Sequence, residues 1–331
     1  MYLRYYGLRE LPFELTSSPR FLFLSPRHRE ALSTIEYGLS AAKAVTVLIG
    51  EAGTGKTTLL RTALESESCR NIKCVYLHNP TLTRTEFISM LSTQLELGKE
   101  ACESKATMLT ALETSLRTKR EAGQIIALVV DEAQSLSYEL LEEVRLLGNI
   151  ETSTEKLLPL VLAGQPEFAD RLNERELRQL KQRIALRCEL KPLTLEETAT
   201  YMASRIRAAG GEAARLFTRE AVVLIHEHSG GTPRTISVIC DNALVTAMAL
   251  GRPRVDKQVV VEVCEDFDLD QVSATLGTHA DESVSPQPAA VGQEQEREAA
   301  DQPQDNEPLP VDGSATARPE TARREATVLL K

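Results

Sequence analysis

The sequence has no tryptophan, and aromatic residues make up only 4% of its 331 positions. A core built from such a chain must rest on aliphatic side chains. No apolar run approaches the roughly 18 residues of a membrane-spanning helix. The N-terminal stretch MYLRYYGLRELPFE lacks the apolar centre of a secretory leader. The six cysteines (Cys69, Cys74, Cys102, Cys188, Cys240 and Cys264) form no C-x-x-C pair and have no accompanying histidine cluster. That argues against zinc or a disulfide framework and for thiols in a reducing compartment. A basic excess is also missing. The formal net charge is −10, which excludes a uniformly nucleic-acid-binding surface. The imbalance is uneven, because residues 269–331 hold twelve acidic and five basic residues. The remainder carries only −3 and has room for a local basic patch. A hydrophobic content of 42% with 26% charged residues fits a soluble globular protein, and a cytoplasmic location is expected.

What the sequence does contain is GEAGTGKTT, from Gly50 to Thr58, which fits the phosphate-loop pattern G-x-x-x-x-G-K-[ST]. An apolar run, Val45 to Ile49, leads in as a buried strand, and a helix from Thr57 to about Glu65 leads out. Gly50, Gly53 and Gly55 let backbone N–H groups turn inward around phosphate oxygens, and the helix N-terminus adds its positive end. The whole loop (Gly50, Glu51, Ala52, Gly53, Thr54, Gly55, Lys56, Thr57 and Thr58) is the expected ATP cradle. Lys56 is expected to reach the β- and γ-phosphates, and the Thr57 hydroxyl to ligate Mg²⁺.

A second apolar strand, Ile125 to Val130, ends in Asp131-Glu132, which is the Walker B arrangement. A carboxylate at a strand tip, Asp131, suits Mg²⁺, a hard cation that keeps much of its water. The next carboxylate, Glu132, is placed to polarise an attacking water. Together the motifs imply hydrolysis of ATP to ADP and phosphate.

The rest of the chain alternates. A lead-in segment punctuated by Pro12, Pro19 and Pro26 precedes a helix from Arg27 to about Ala42. Further strands are predicted at Lys73–Leu77, Leu158–Ala163 and, as a short piece, Cys188–Leu190. Helices are predicted over about Thr83–Leu97, Lys105–Arg120 and Tyr138–Leu147. Alternation of this kind argues for a parallel α/β sheet sandwiched by helices, with ligands beyond the carboxyl ends of the strands. From Pro192 onward only helices are predicted: Leu195–Ala209, Thr218–Ser229, Thr232–Leu250 and Asp256–Asp266. The domains are therefore drawn as 1–191 (α/β core with the lead-in), 192–268 (helical lid) and 269–331. The last segment is rich in Ala, Gln, Glu, Pro, Ser and Thr and is expected to be disordered.

Several blocks resemble the AAA+ ATPases of the ExeA-type branch, the ATPase component A of general (type II) secretion. They are YYGLRELPFELTSSPRFLFLSPRHREAL (5–32), DEAQSLSYELLEEVRLLGNIET (131–152), LLPLVLAGQPEF (157–168), LRQLKQRIALRCELKPL (177–193) and SGGTPRTISVICDNAL (229–244). The resemblance covers about residues 1–267, and TnsC-type transposition regulators share much of the same core. It implies that Gln165 is sensor 1, near the γ-phosphate, and that Arg234 is sensor 2, reaching from the lid. It implies that Asn79 restrains Glu132, and that Arg27 and His28 lie near the adenine. A neighbouring subunit's arginine finger comes from Arg178, Arg183 or Arg187, with Arg183 preferred. The implied role is an oligomeric ATP switch with a protein partner in secretion or surface assembly. A DNA-bound regulator is the alternative, with Lys99, Lys105, Arg117, Lys119 and Arg120 as its basic cluster. A helicase is not expected, since one phosphate loop cannot supply two motor domains. Full-length secretion members continue into a membrane helix and a peptidoglycan-binding domain. Here a polar tail follows instead, so direct cell-wall remodelling is not expected.

Overall fold

The computed structural model describes residues 2–15, 21–77, 81–98 and 104–269. The expected tail from 270 onward, Asn79, Lys99 and Cys102 lie outside the described residues.

In chain order the helices are α1 (Tyr2–Tyr6), α2 (Pro26–Ser40), α3 (Lys56–Glu65), α4 (Arg84–Gln94), α5 (Lys105–Glu121), α6 (Tyr138–Leu147), α7 (Pro166–Arg171) and α8 (Arg178–Lys181). The lid adds α9 (Leu195–Ala208), α10 (Ala213–Leu216), α11 (Arg219–Ser229), α12 (Pro233–Ala249) and α13 (Lys257–Asp266). The strands are β1 (Val45–Gly50), β2 (Ile72–Leu77), β3 (Ile125–Val130), β4 (Leu160–Gly164) and β5 (Ile184–Leu190). They form one parallel sheet in the order β2-β3-β4-β1-β5.

The side-chain period of two divides the sheet between two cores. Val45, Val47, Ile49, Leu128 and Val130 face a layer of α4, α5 and α6, packing with Phe87, Met108, Leu112 and Val144. Leu48, Ala127, Val129 and Val161 face α2 and α3, packing with Ile35, Leu39, Leu59 and Leu60. Both faces are covered, so β1, β3 and β4 read as continuous apolar runs.

β5 runs longer than the three residues expected. Among the described residues it is an edge strand paired only with β1. Its residues alternate between half-buried and exposed, and Arg187 and Glu189 interrupt the apolar pattern that marks a central strand. Helices α1, α7 and α10 were not foreseen, because each is six residues or fewer and too short to show a helical period.

The lid has its own core, which includes Met202, Ile206, Phe217, Ile239, Leu244 and Val260. Tyr2, Leu8 and Phe13 of the lead-in segment pack in this core and not in those of the sheet. Buried Arg205 of α9 fixes the segment there. Its guanidinium donates to the Pro12 carbonyl (2.5 Å), the Glu14 carbonyl (2.7 Å) and the Tyr201 hydroxyl (3.0 Å). The chain thus starts on the lid, crosses to the sheet at α2 and returns.

Candidate nucleotide site

The sheet order sets the site. β4 lies between β1 and β3, so Gln165, just past β4, falls between the phosphate loop and Asp131-Glu132. All three sequence positions lie at the carboxyl ends of parallel strands.

The loop from Gly50 to Gly55 joins β1 to α3. Gly53 (φ 80°) and Gly55 (φ 99°) are left-handed, a backbone that glycine adopts without strain. Thr54 is buried and donates its hydroxyl to the Glu51 carbonyl at 2.8 Å. Lys56 is also buried, and its Nζ donates to the carbonyls of Gly50 (2.8 Å) and Glu51 (3.1 Å). Burial lowers its pKa, against the raising effect of Glu132 and Asp131. The ammonium therefore lies inside the cradle, turned onto loop carbonyls.

Thr57 donates to Asp131 Oδ2 at 2.6 Å. Tyr76, from β2, donates to the same oxygen at 3.1 Å, and the Glu132 N–H donates to Oδ1 at 3.0 Å. A hydroxyl and a buried carboxylate thus stand together at the loop, a pair of hard oxygen donors that suits Mg²⁺. Among the described residues no group of three or more His, Cys, Asp or Glu side chains could hold a metal. Mg²⁺ would rely on Thr57 and Asp131 together with phosphate and water oxygens.

Glu132 is left-handed (φ 56°, ψ 43°). Its Oε2 accepts from Gln134 Nε2 (2.5 Å) and Gln165 Nε2 (3.2 Å). Burial raises its pKa, but the two amides and the Lys56 charge outweigh this and hold it below the ordinary glutamate value.

The lid closes the opposite side. The Arg234 N–H lies 3.3 Å from the Gly53 carbonyl. A Cβ on Gly53 would stand 2.8 Å from the Arg234 Cβ. Arg234 is exposed, on the first turn of α12.

Beside the loop is a pocket partly open to solvent. Phe21, Phe23, His28, Thr58, Tyr201 and Arg205 are among the residues that line it. His28 Nε2 donates to the Thr54 carbonyl at 2.9 Å, and the Ser25 hydroxyl meets Nδ1 at 2.8 Å. A carbonyl can only accept, so Nε2 carries a proton. Burial lowers its pKa, overcoming the Thr54 bond and the Glu197 charge. Arg27 does not line this pocket; it is exposed, 3.6 Å from Glu30.

Arg183, half-buried, precedes β5. Ile184 pairs with Val45 and Leu190 with Gly50, so Arg183 lies at the amino end of the sheet, about 20 Å from its own phosphate loop. Arg178 is exposed on α8, and Arg187 is exposed on β5. In the expected basic cluster, Lys105 pairs with Glu143 (2.7 Å), Arg117 with Glu113 (2.7 Å), and Arg120 with Glu155. Tyr76, Arg171 and Arg205 belong to no motif and were missed, and Gln134 was given no role. Only Gln134, inside the DEAQ turn, had a local signal.

Residues 40–172 match the family described as AAA domain. The chain is 37% identical over 255 residues to General secretion pathway protein A of Aeromonas hydrophila, which bears out the resemblance read from the sequence. That alignment covers 77% of this chain and 46% of the relative.

The fold is that of the AAA+ P-loop proteins.

The chain spans about half the length of that relative. Solved structures of similar fold include Cdc6p from Pyrobaculum aerophilum, with a TM-score of 0.57 at 20% identity, covering 77% of this chain and 70% of that one. Another is Drosophila ORC bound to DNA, with a TM-score of 0.57 at 20% identity, covering 81% and 67%. At that identity the likeness speaks to the AAA+ fold alone. Among the described residues no helix is long and apolar enough to cross a membrane.

Proposed function

We propose that this AAA+ protein hydrolyses ATP as an oligomeric, cytoplasmic switch in a secretion or cell-surface assembly system. The observation that carries the reading is the 2.6 Å contact of Thr57 with Asp131, with Glu132 alongside and Gln165 bonded to it. Loop N–H groups from Gly50 to Thr58 bind the phosphates, and Arg234 adds positive charge from the lid. Mg²⁺, held by Thr57 and through Asp131, supplies neutralisation of phosphate charge. Glu132 orients the attacking water and takes its proton. Gln165 senses the γ-phosphate from its place beside Glu132. His28 fixes the loop at Thr54, and the aromatic pocket receives the base.

Arg183 acts on a neighbouring subunit's site. Its distance from its own phosphate loop supports this, and such a finger contributes about 10³–10⁵ in rate. The link to secretion rests on the similarity to General secretion pathway protein A. The acid pairing of Lys105, Arg117 and Arg120 weighs against a DNA-bound regulator using that face.

The experiment is ATP turnover against protein concentration, with and without duplex DNA, with Glu132→Gln as control. Turnover rising faster than linearly and indifferent to DNA supports the reading. Turnover only with DNA replaces it with the DNA-bound regulator. Mixing Arg183→Ala with Glu132→Gln should restore turnover that neither variant shows alone, because the mixed interface joins an intact finger to an intact base. No recovery removes Arg183 from the role.

A further inference from the structure

Gln134 commits both ends of its amide to the site. Nε2 donates to Glu132 Oε2 at 2.5 Å, and Oε1 accepts the backbone N–H of Gln165 at 3.1 Å. Gln165 closes the ring with its own Nε2 on the same Glu132 oxygen at 3.2 Å. The Gln134 backbone is held in turn. Arg171 donates to its carbonyl at 2.6 Å and to that of Leu136 at 2.9 Å, and lies 4.6 Å over the Tyr138 ring.

Gln165 and Arg171 are the cap and the last residue of one helix, α7. This short helix therefore grips the DEAQ turn at both ends. The grip explains how Glu132 keeps its left-handed backbone, which a non-glycine residue holds only where its surroundings over-determine it. It also divides the two carboxylate oxygens. Oε2 takes both amide donors, and Oε1 takes neither. A neutral amide is the group this position needs, since it donates to a carboxylate and accepts from an N–H at once. Methionine would fill the space and make neither bond. Glutamate would keep the acceptor and set a second negative charge against Glu132.

We infer that Gln134 is a positioning residue: it ties Glu132 to the end of β4, fixing one carboxylate oxygen so that the other is presented to the attacking water. The inference rests on the hydrolytic reading of Glu132 given above.

The test is steady-state hydrolysis by the full chain carrying Gln134→Met or Gln134→Glu, with binding of a fluorescent ATP analogue measured alongside. Gln134→Met should lower kcat by about ten- to a hundredfold, the scale of a misplaced catalytic group. KM and analogue affinity should stay unchanged, because only the transition-state interaction is lost. Gln134→Glu should be worse. A merely structural role predicts the reverse order, since glutamate is the milder change at a half-buried turn. Unchanged kcat in Gln134→Met, or kcat and affinity falling together, overturns the inference. A wild-type chain that binds ATP without turnover would instead sink the hydrolytic reading. The bond itself is then tested by thermal unfolding of Gln134→Met, Glu132→Ala and the double variant. Non-additive Tm shifts support the tie, and additive ones overturn it.

Discussion

The Thr57 hydroxyl lies 2.6 Å from Asp131 Oδ2, across 74 positions of sequence, and joins the loop after β1 to the tip of β3. Thr57→Ala removes the donor of this pair, and Asp131→Asn removes the charge of its acceptor. A charge-assisted hydrogen bond contributes about 1.5–3 kcal/mol. Nucleotide affinity in Mg²⁺ should therefore fall about ten- to a hundredfold, while affinity in EDTA changes little. Calorimetric titration in both buffers measures it. Tyr76→Phe, which removes the 3.1 Å bond to the same oxygen, should show the same pattern at a few-fold. Equal losses with and without Mg²⁺ would show that the pair merely shapes the loop.

Glu132→Gln keeps the shape of the side chain and removes its ability to take a proton. Turnover should fall about 10²–10⁴-fold with ATP binding retained. Residual turnover close to wild type would move the base elsewhere.

Gly53→Ala meets two obstacles. The backbone is at φ 80°, and the new Cβ would lie 2.8 Å from the Arg234 Cβ. The strained backbone alone costs about 1–3 kcal/mol. The lid must also retreat, so ATP affinity should drop while the sheet still folds. Circular dichroism together with nucleotide titration separates the two effects.

His28 gives the protein an acid limit. Its pKa in the fold is below the ordinary 6.5 because burial disfavours the charged ring. The unfolded chain therefore takes up the proton first. Stability is complete above about pH 6.5 and declines as pH falls below it toward the folded-state value. His226, also lowered by burial, acts in the same direction. Thermal unfolding from pH 7.5 to 5 should show the decline, with a shallower slope in His28→Gln. An identical slope would clear His28 of any part in it.

Arg205 is 8% exposed and holds two backbone carbonyls of the lead-in segment. Arg205→Ala leaves them without donors and should destabilise the fold by about 2–4 kcal/mol in urea denaturation. Arg205→Lys should recover little, because an ammonium cannot reproduce the fork. Full recovery by lysine would reduce the role of Arg205 to its charge.

The central strands were legible because burial on both faces demands mostly apolar runs, as in Ile125–Val130 and in Val45–Ile49, where buried Thr46 is the one polar residue. The phosphate loop was legible because its glycines, Lys56 and Thr57 are contiguous. Edge strand β5 was largely hidden, since one exposed face lets Arg187 and Glu189 break the run. The lead-in segment looked like part of the α/β core because it precedes β1 in sequence. Its packing on the lid depends on Arg205, which lies more than 190 positions from Pro12 and Glu14.

By itself the sequence determined the chemistry: a phosphate loop, a pair of acids after a second strand, and the blocks that mark an AAA+ chain. These are local patterns, in which neighbouring residues must adopt one backbone to work at all. Only the tertiary structure decided how they meet. It inserted β4 between β1 and β3, brought Gln165 and Gln134 onto one oxygen of Glu132, turned His28 onto Thr54, and set Arg234 of the lid against Gly53. Each of these contacts joins side chains or backbone through hydrogen bonds and van der Waals fit after the chain has folded. Composition and spacing carry no signal of such pairings, because many sequences with the same pattern could make them differently.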